Sequence, residues 1–187
     1  MKKHLSYLVS ILVTAAFVSS CKDCTDPVIT PLEQTDVEWL AYNELDSVHF
    51  KTEKNEIVTF KKVTARADNI VGEGSQVGDD CIASMDTQAL IMLSSESGQH
   101  PVIGTSVLRR PNKLFVRIMV SPQDSGFEIN QDFPTYPSLQ VGDFVHQDVY
   151  ELKQDSTRAL SIKQLLYNKN RGILRVEYYN GRYYEVI

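Results

Sequence analysis

From Asp46 onward the apolar positions recur every second residue. Val48 and Phe50 alternate with His49 and Lys51, and Val58 and Phe60 alternate with Thr59 and Lys61, with Glu53, Lys54 and Asn55 between the two runs. A period of two puts alternate side chains on opposite faces of a strand, so this stretch predicts a hairpin. Ala83, Met85, Ala89, Ile91 and Leu93 share a face against Ser84, Asp86 and Gln88 and predict a long strand. It follows a glycine-rich acidic loop from Gly72 to Asp80. Turn residues at Ser94 to Gly98 and at Pro111-Asn112 precede another strand, with Leu114, Val116, Ile118 and Val120 on one face. Segments near Phe144 to Leu152 and Ile162 to Tyr167 complete the set. After Leu45 no window carries a strong 3.6-residue period, so helices are minor.

The C-terminus carries the strongest local signal. Asn180-Gly181 separates the alternating runs Gly172–Tyr179 and Arg182–Ile187, and such a dipeptide favours a two-residue type I′ turn. That turn predicts Tyr179 opposite Arg182 and Tyr178 opposite Tyr183. Leu174, Val176, Tyr178, Tyr183 and Ile187 then form the core face, with Glu185 on the same face near the edge. Arg175, Glu177, Tyr179, Arg182 and Tyr184 form the other. Near the start of the domain, Thr30 and Glu33 have capping-box spacing for a short helix through Trp39 and Leu40. The rival is an edge strand with Val37, Trp39 and Ala41 on one face, and the alternation favours the strand. Many short strands separated by turn residues predict a mainly β domain: an antiparallel sandwich, half-barrel or barrel.

The chain has 187 residues, 42% hydrophobic and 23% charged, the composition of one foldable domain. With 19 basic against 24 acidic residues, its charge of −5 argues against a nucleic-acid partner, which calls for clustered cations.

Lys2 and Lys3, the apolar run from Leu5 to Val18, and the small residues Ser19 and Ser20 have the layout of a cleaved export signal. The apolar run falls short of the about 20 residues that span a bilayer. Val18-Ser19-Ser20-Cys21 resembles the lipobox of bacterial lipoproteins. The resemblance implies cleavage before Cys21, diacylglycerol on its thiol and an acyl chain on the new amino terminus. Two or more chains give stable membrane attachment where one gives reversible binding. Lys22-Asp23 departs from the Asp directly after Cys that resembles an inner-membrane retention signal, which implies the outer membrane. The acidic stretch Lys22 to Asp26 is similar to the surface-export tether of Bacteroidota lipoproteins, leaving surface and periplasm-facing orientations both open. The predicted organisation is therefore a signal at 1–20, a lipidated tether at 21–36, and a single domain at 37–187. Without Lys2 and Lys3, 17 basic residues face 24 acidic ones, so the mature chain is distinctly acidic.

Candidate chemistry is sparse. His49, His100 and His146 lie far apart and lack the close pairing of zinc ligands. Ser106 follows Gly104 as in a nucleophile elbow, but Leu108 stands where the second glycine belongs. Gly72-Glu73-Gly74 lacks the third glycine of a dinucleotide loop. Glu73, Asp79 and Asp80 offer oxygen ligands at a spacing that matches no calcium loop. No cofactor or metal is therefore expected. Cys24 and Cys81 form a candidate disulfide in an oxidising compartment, against two separate thiols as the alternative. Five of the nine tyrosines fall at the C-terminus, among them Tyr179 and Tyr184 on the predicted free face as a candidate binding surface for a glycan or protein.

These features lead to the expectation of a noncatalytic lipoprotein acting as a binding or structural module at the outer membrane. The alternatives are a carrier of an apolar ligand such as a lipid, which needs an apolar cavity, and an envelope hydrolase whose residues converge only in space.

Overall fold

The alternating stretches join one sheet. The computed structural model describes residues 24–121, 126–154 and 158–187; the predicted signal at 1–20 and Cys21 lie outside the described residues. In chain order the elements are β1 (Val28–Thr30), α1 (Gln34–Val37), β2 (Ser47–Thr52), β3 (Ile57–Val71), β4 (Ser84–Ser95), β5 (Ile103–Arg110) and β6 (Lys113–Val120). There follow β7 (Phe127–Glu128), β8 (Tyr136–Val141), β9 (Phe144–Leu152), β10 (Ile162–Asn168), β11 (Gly172–Tyr178) and β12 (Tyr183–Val186).

The strand order is β7-β6-β5-β4-β3-β2-β12-β11-β10-β9-β8, antiparallel along this path, with β1 added parallel to β4. The C-terminal strand β12 closes the middle by pairing with both β2 and β11. β7 and β8 stand at opposite ends of the path yet follow each other in sequence. The seven residues between them reach at most about 25 Å. A flat sheet of eleven strands at about 4.8 Å spacing would be twice that wide, so the sheet must curl. It does, forming a strongly curled half-barrel. Ile129 N–H donates to Val116 O, and Tyr150 Oη donates to Gln131 O at 2.9 Å, so the connection bridges the two ends.

The inward alternation holds as the pattern predicts. Val48, Phe50, Phe60, Ile91, Leu93, Val116, Ile118, Leu174 and Val176 are all buried. A segment from α1 to Asn43 fills the concave side. Asp36 Oδ1 and Oδ2 receive Arg109 Nη2 and Nε of β5 at 2.7 and 2.8 Å. Trp39 stacks on Tyr167 of β10 and meets Tyr150 of β9 edge-on, and Tyr167 Oη donates to Trp39 O at 2.6 Å. Tyr42, fully buried, accepts the Ile173 N–H of β11 at 2.7 Å.

Three sequence expectations are corrected here. The Trp39 region is not an edge strand: α1 begins the turn structure, capped by Glu33 and Asp36 rather than Thr30 and Glu33, with Glu33 N–H donating to Asp36 Oδ2. Capture of Asp36 by Arg109, distant in sequence, holds that turn where local alternation favoured extension. Much of the predicted tether at 21–36 is structured: Cys24 is joined to Cys81, Val28–Thr30 pairs with β4, and Asp36 is buried.

The third correction is the C-terminal register. Glu177 faces Tyr183 and Val176 faces Tyr184, and Tyr178 N–H donates to Arg182 O. The loop therefore holds three residues, Tyr179 to Gly181, with only Gly181 at positive φ, +84°. A type I turn with a following αL glycine competes with the two-residue I′ turn at such sequences, and it moves the partner strand by one. One residue of slip exchanges the faces of β12. Tyr184 and Val186 are buried, Ile187 is exposed, and Tyr183 turns to the opposite face under Arg175, 4.4 Å from its ring centroid. Glu185 leaves the core face and pairs with Arg175 at 2.8 Å.

Candidate ligand pocket

The register that buries Tyr184 also builds a pocket. Gln99, His100 and Pro101 come from the β4–β5 turn and Tyr178, Arg182 and Tyr184 from the C-terminal hairpin; with Ser121 and Leu160 they line an open pocket of about 240 Å³. The β4–β5 turn is reached when Gly98 adopts φ +65° after Ser95. The hairpin's three-residue loop puts Arg182 beside Tyr184, and Arg182 Nη2 donates to Tyr184 Oη at 2.9 Å. His100 Nδ1 lies 3.0 Å from the same oxygen. The Tyr184 hydroxyl thus accepts from Arg182 and has its own proton to give to His100 Nδ1 in the tautomer that leaves that nitrogen bare. Tyr184 also meets Phe60, His100 and Tyr178 edge-on, fixing the phenol in an aromatic cage.

Burial pushes the Tyr184 hydroxyl above its ordinary range, opposed by the neighbouring Arg182 guanidinium. Tyr178 is pushed higher, by burial first and by Tyr184 second. Both phenols therefore keep their protons at neutral pH and act as hydrogen-bonding groups rather than bases. Ser121 Oγ accepts the Val102 N–H at 2.8 Å. The wall thus combines a cation, an imidazole and aromatic surface, which suits hydrogen-bond acceptors carried on a ring or apolar body.

Of the two tyrosines predicted as a binding surface, Tyr184 is not on a free face; it is 3% exposed, and it reaches the pocket as a wall residue. Tyr179 is exposed at the hairpin tip, outside the pocket lining. Cys24 and Cys81 are joined as a disulfide. His49 sits on the exposed face of β2, 3.0 Å from Thr59 Oγ1 across the ladder. His146 is buried elsewhere, on β9. In the acidic loop, Asp79 Oδ2 accepts the Gln76 N–H, and among the described residues no three His, Cys, Asp or Glu side chains gather to hold a metal. Ser106 lies within β5 opposite Arg117 rather than at an elbow.

Neither His100 nor Arg182 stands out in the sequence as a site residue. His100 meets Tyr184 across 84 residues, and no local spacing announces such a pair. Arg182 was visible only as a hairpin residue, and its role follows from the register. A larger open groove of about 570 Å³ runs beside α1 and Ile187, with Glu38, Lys169 and Arg171 in its lining. The concave side, where a lipid carrier would hold its cargo, is occupied by Trp39, Tyr42, Tyr150 and Tyr167. No family model, curated protein or solved structure matches this chain.

Proposed function

We propose that this chain is a noncatalytic binding module, anchored by acyl chains on Cys21 at the outer membrane, that takes a soluble ligand in the pocket around Tyr184. The observation that carries the reading is the Cys24–Cys81 disulfide. Disulfides persist outside the reducing cytosol, which fits the export implied by the segment before Cys21. For the ligand, Arg182 and His100 supply donors to acceptor oxygens, and Tyr178 supplies an aromatic wall. A glycan carries both kinds of partner surface, hydroxyl oxygens and an apolar ring face, and is the class the pocket suits best.

Anchoring is tested by replacing Cys21 with Ser and fractionating the producing cells. The variant should leave the membrane fraction and lose the acyl mass increment; retention of both overturns the anchoring. Ligand class is tested by a glycan array probed with the wild-type protein and with Arg182→Ala. Hits weakened in the variant support the pocket, and hits indifferent to it place recognition elsewhere.

A further inference from the structure

We propose that the outer edge of β3 is a self-complementary pairing site through which two copies of this chain join, antiparallel, about a two-fold axis at Ala67. β3 runs for 15 residues, but β2 covers it only from Ile57 to Lys61, the ladder closing as Lys62 N–H donates to Asp46 O. Beyond Lys62, β3 is bonded to β4, and among the described residues no strand pairs with its other edge. Ala65, Arg66, Ala67, Asp68 and Asn69 are exposed, as is Val63. Such an edge presents unpaired backbone groups to any strand of matching phase.

The phase is set by the bulge between Lys62 and Thr64. Gly72 N–H donates to Ser84 O, so in this antiparallel ladder the even-numbered residues bond to β4. Ala65, Ala67 and Asn69 therefore direct their N–H and C=O outward. The free stretch 63–71 is centred on Ala67, and so is this outward set. With Ala67 facing the partner's Ala67, Ala65 meets Asn69 of the partner and the outward groups form about six hydrogen bonds. Arg66 then stands opposite the partner's Asp68, and Asp68 opposite the partner's Arg66. These are the non-hydrogen-bonded positions, where Cα atoms lie about 4.5 Å apart and side chains approach closest. Within one copy Arg66 Nε already reaches Asp68 Oδ2 at 3.1 Å, with both side chains more than half exposed.

The alternatives to this register are selected against. A slip that moves the axis to Arg66 or Asp68 keeps the backbone phase but sets Arg66 against itself, or Asp68 against itself. A slip of the opposite parity brings outward groups against inward ones. The correct register also ends the partner's strand at Val71 opposite Val63, just before the edge that β2 occupies, so neither copy's β2 is displaced. An isologous interface of this kind is the commonest in homo-oligomers.

The experiment is sedimentation velocity on the purified protein up to millimolar concentration, with circular dichroism to verify the fold of each variant. Wild type should show a concentration-dependent dimer. Arg66→Asp sets like charges together at two places and should weaken it about tenfold or more, and adding Asp68→Arg should restore it. Ala67→Pro removes an outward N–H without touching the β4 ladder and should abolish the dimer. Arg66→Cys and Asp68→Cys proteins, mixed and oxidised, should give a covalent dimer that neither gives alone, the expected Cα separation lying inside the about 4.4–6.8 Å that a disulfide spans. A protein monomeric throughout, or a dimer indifferent to both Arg66→Asp and Ala67→Pro, overturns the proposal; in the first case Arg66 and Asp68 serve to protect the edge.

Discussion

Replacing Tyr42 with Phe removes one oxygen and leaves the ring that fills the concave side. Tyr42 is 0% exposed, and its Oη accepts the Ile173 N–H at 2.7 Å. Ile173 is likewise fully buried, so no water can replace the lost acceptor. A buried donor left without a partner costs about 1–3 kcal/mol. For a chain of this size 1 kcal/mol moves the melting midpoint by about 2–4 °C, so Tm should fall by about 2–12 °C, centred near 6 °C. Urea unfolding should show the same loss in midpoint with an unchanged slope, since exposed area on unfolding is unaltered. Tyr179→Phe, at an exposed hydroxyl, serves as the control and should stay within about 0.5 kcal/mol of wild type. Gly172→Ala probes the same contact from the other side. Its Cβ would lie 2.4 Å from Tyr42 Cζ, at φ +81°, so it should cost more than Tyr42→Phe. If Tyr42→Phe matches the Tyr179→Phe control, the Ile173 donor has another partner and the clamp between the N-terminal segment and β11 is not as described.

Arg109→Met should destabilise by about 3–5 kcal/mol in urea unfolding, because it leaves the buried Asp36 carboxylate without its cation; the double change with Asp36→Leu should recover part of the loss, and an unaltered midpoint for Arg109→Met refutes the pair's role. Replacing Cys24 and Cys81 by Ser opens a loop with a sequence separation of 57, for which chain entropy gives a loss of about 4 kcal/mol; a midpoint insensitive to both the replacement and reductant would show that the cross-link carries no stability. Burial raises the hydroxyls of Tyr42, Tyr167, Tyr178, Tyr150 and Tyr184. Their folded values exceed the unfolded value of about 10, so this contribution is complete below about pH 10 and is lost as pH rises beyond it. Tyrosinate absorbance should therefore lag for these residues and rise together with loss of circular dichroism, whereas independent ionisation in an intact fold would contradict their burial.

Alternation carried most of the fold because a period of two depends only on which side chains face the core. The Val48–Phe60 hairpin, the β4 face and the β6 face follow from it directly. Register is another matter. Leu174, Val176 and Tyr178 lie inward under either turn at Asn180-Gly181, but Tyr183 and Tyr184 exchange faces with a single loop residue, and both are apolar enough to be buried. The sequence thus marked tyrosines as the residues of interest and misplaced the one that matters. β8 was missed because Pro137 and two further exposed positions, Ser138 and Gln140, interrupt its pattern at the sheet's edge. The second half of β3 was missed because Ala65 to Asn69 are exposed on both faces and show no alternation. α1 escaped for a different reason: its capping carboxylate is held by an arginine 73 residues away.

On the proposed anchoring, the attachment and the pocket belong to opposite ends of one strand. Cys24, three residues along the chain from the proposed anchor at Cys21, is joined to Cys81 just before the start of β4. The pocket is built at the other end of the same strand, where β4 turns into β5 at Gln99 to Pro101. Twelve residues of extended chain at about 3.3 Å each place the two ends about 35–40 Å apart. A site meant to accept a lipid from the adjacent bilayer would gain from lying near the anchor; this one lies at the far end of β4, beside Arg182 and His100, which fits the soluble ligand proposed for it. The separation has a measurable consequence. A Cys21→Ser protein, released from the membrane, should bind any ligand of this pocket with the affinity of the anchored form, whereas Tyr184→Phe, which removes the oxygen shared by Arg182 and His100, should weaken it in both. A tenfold difference between the anchored and released forms would mean that the bilayer contributes to the site and that the domain lies along the membrane rather than standing off it.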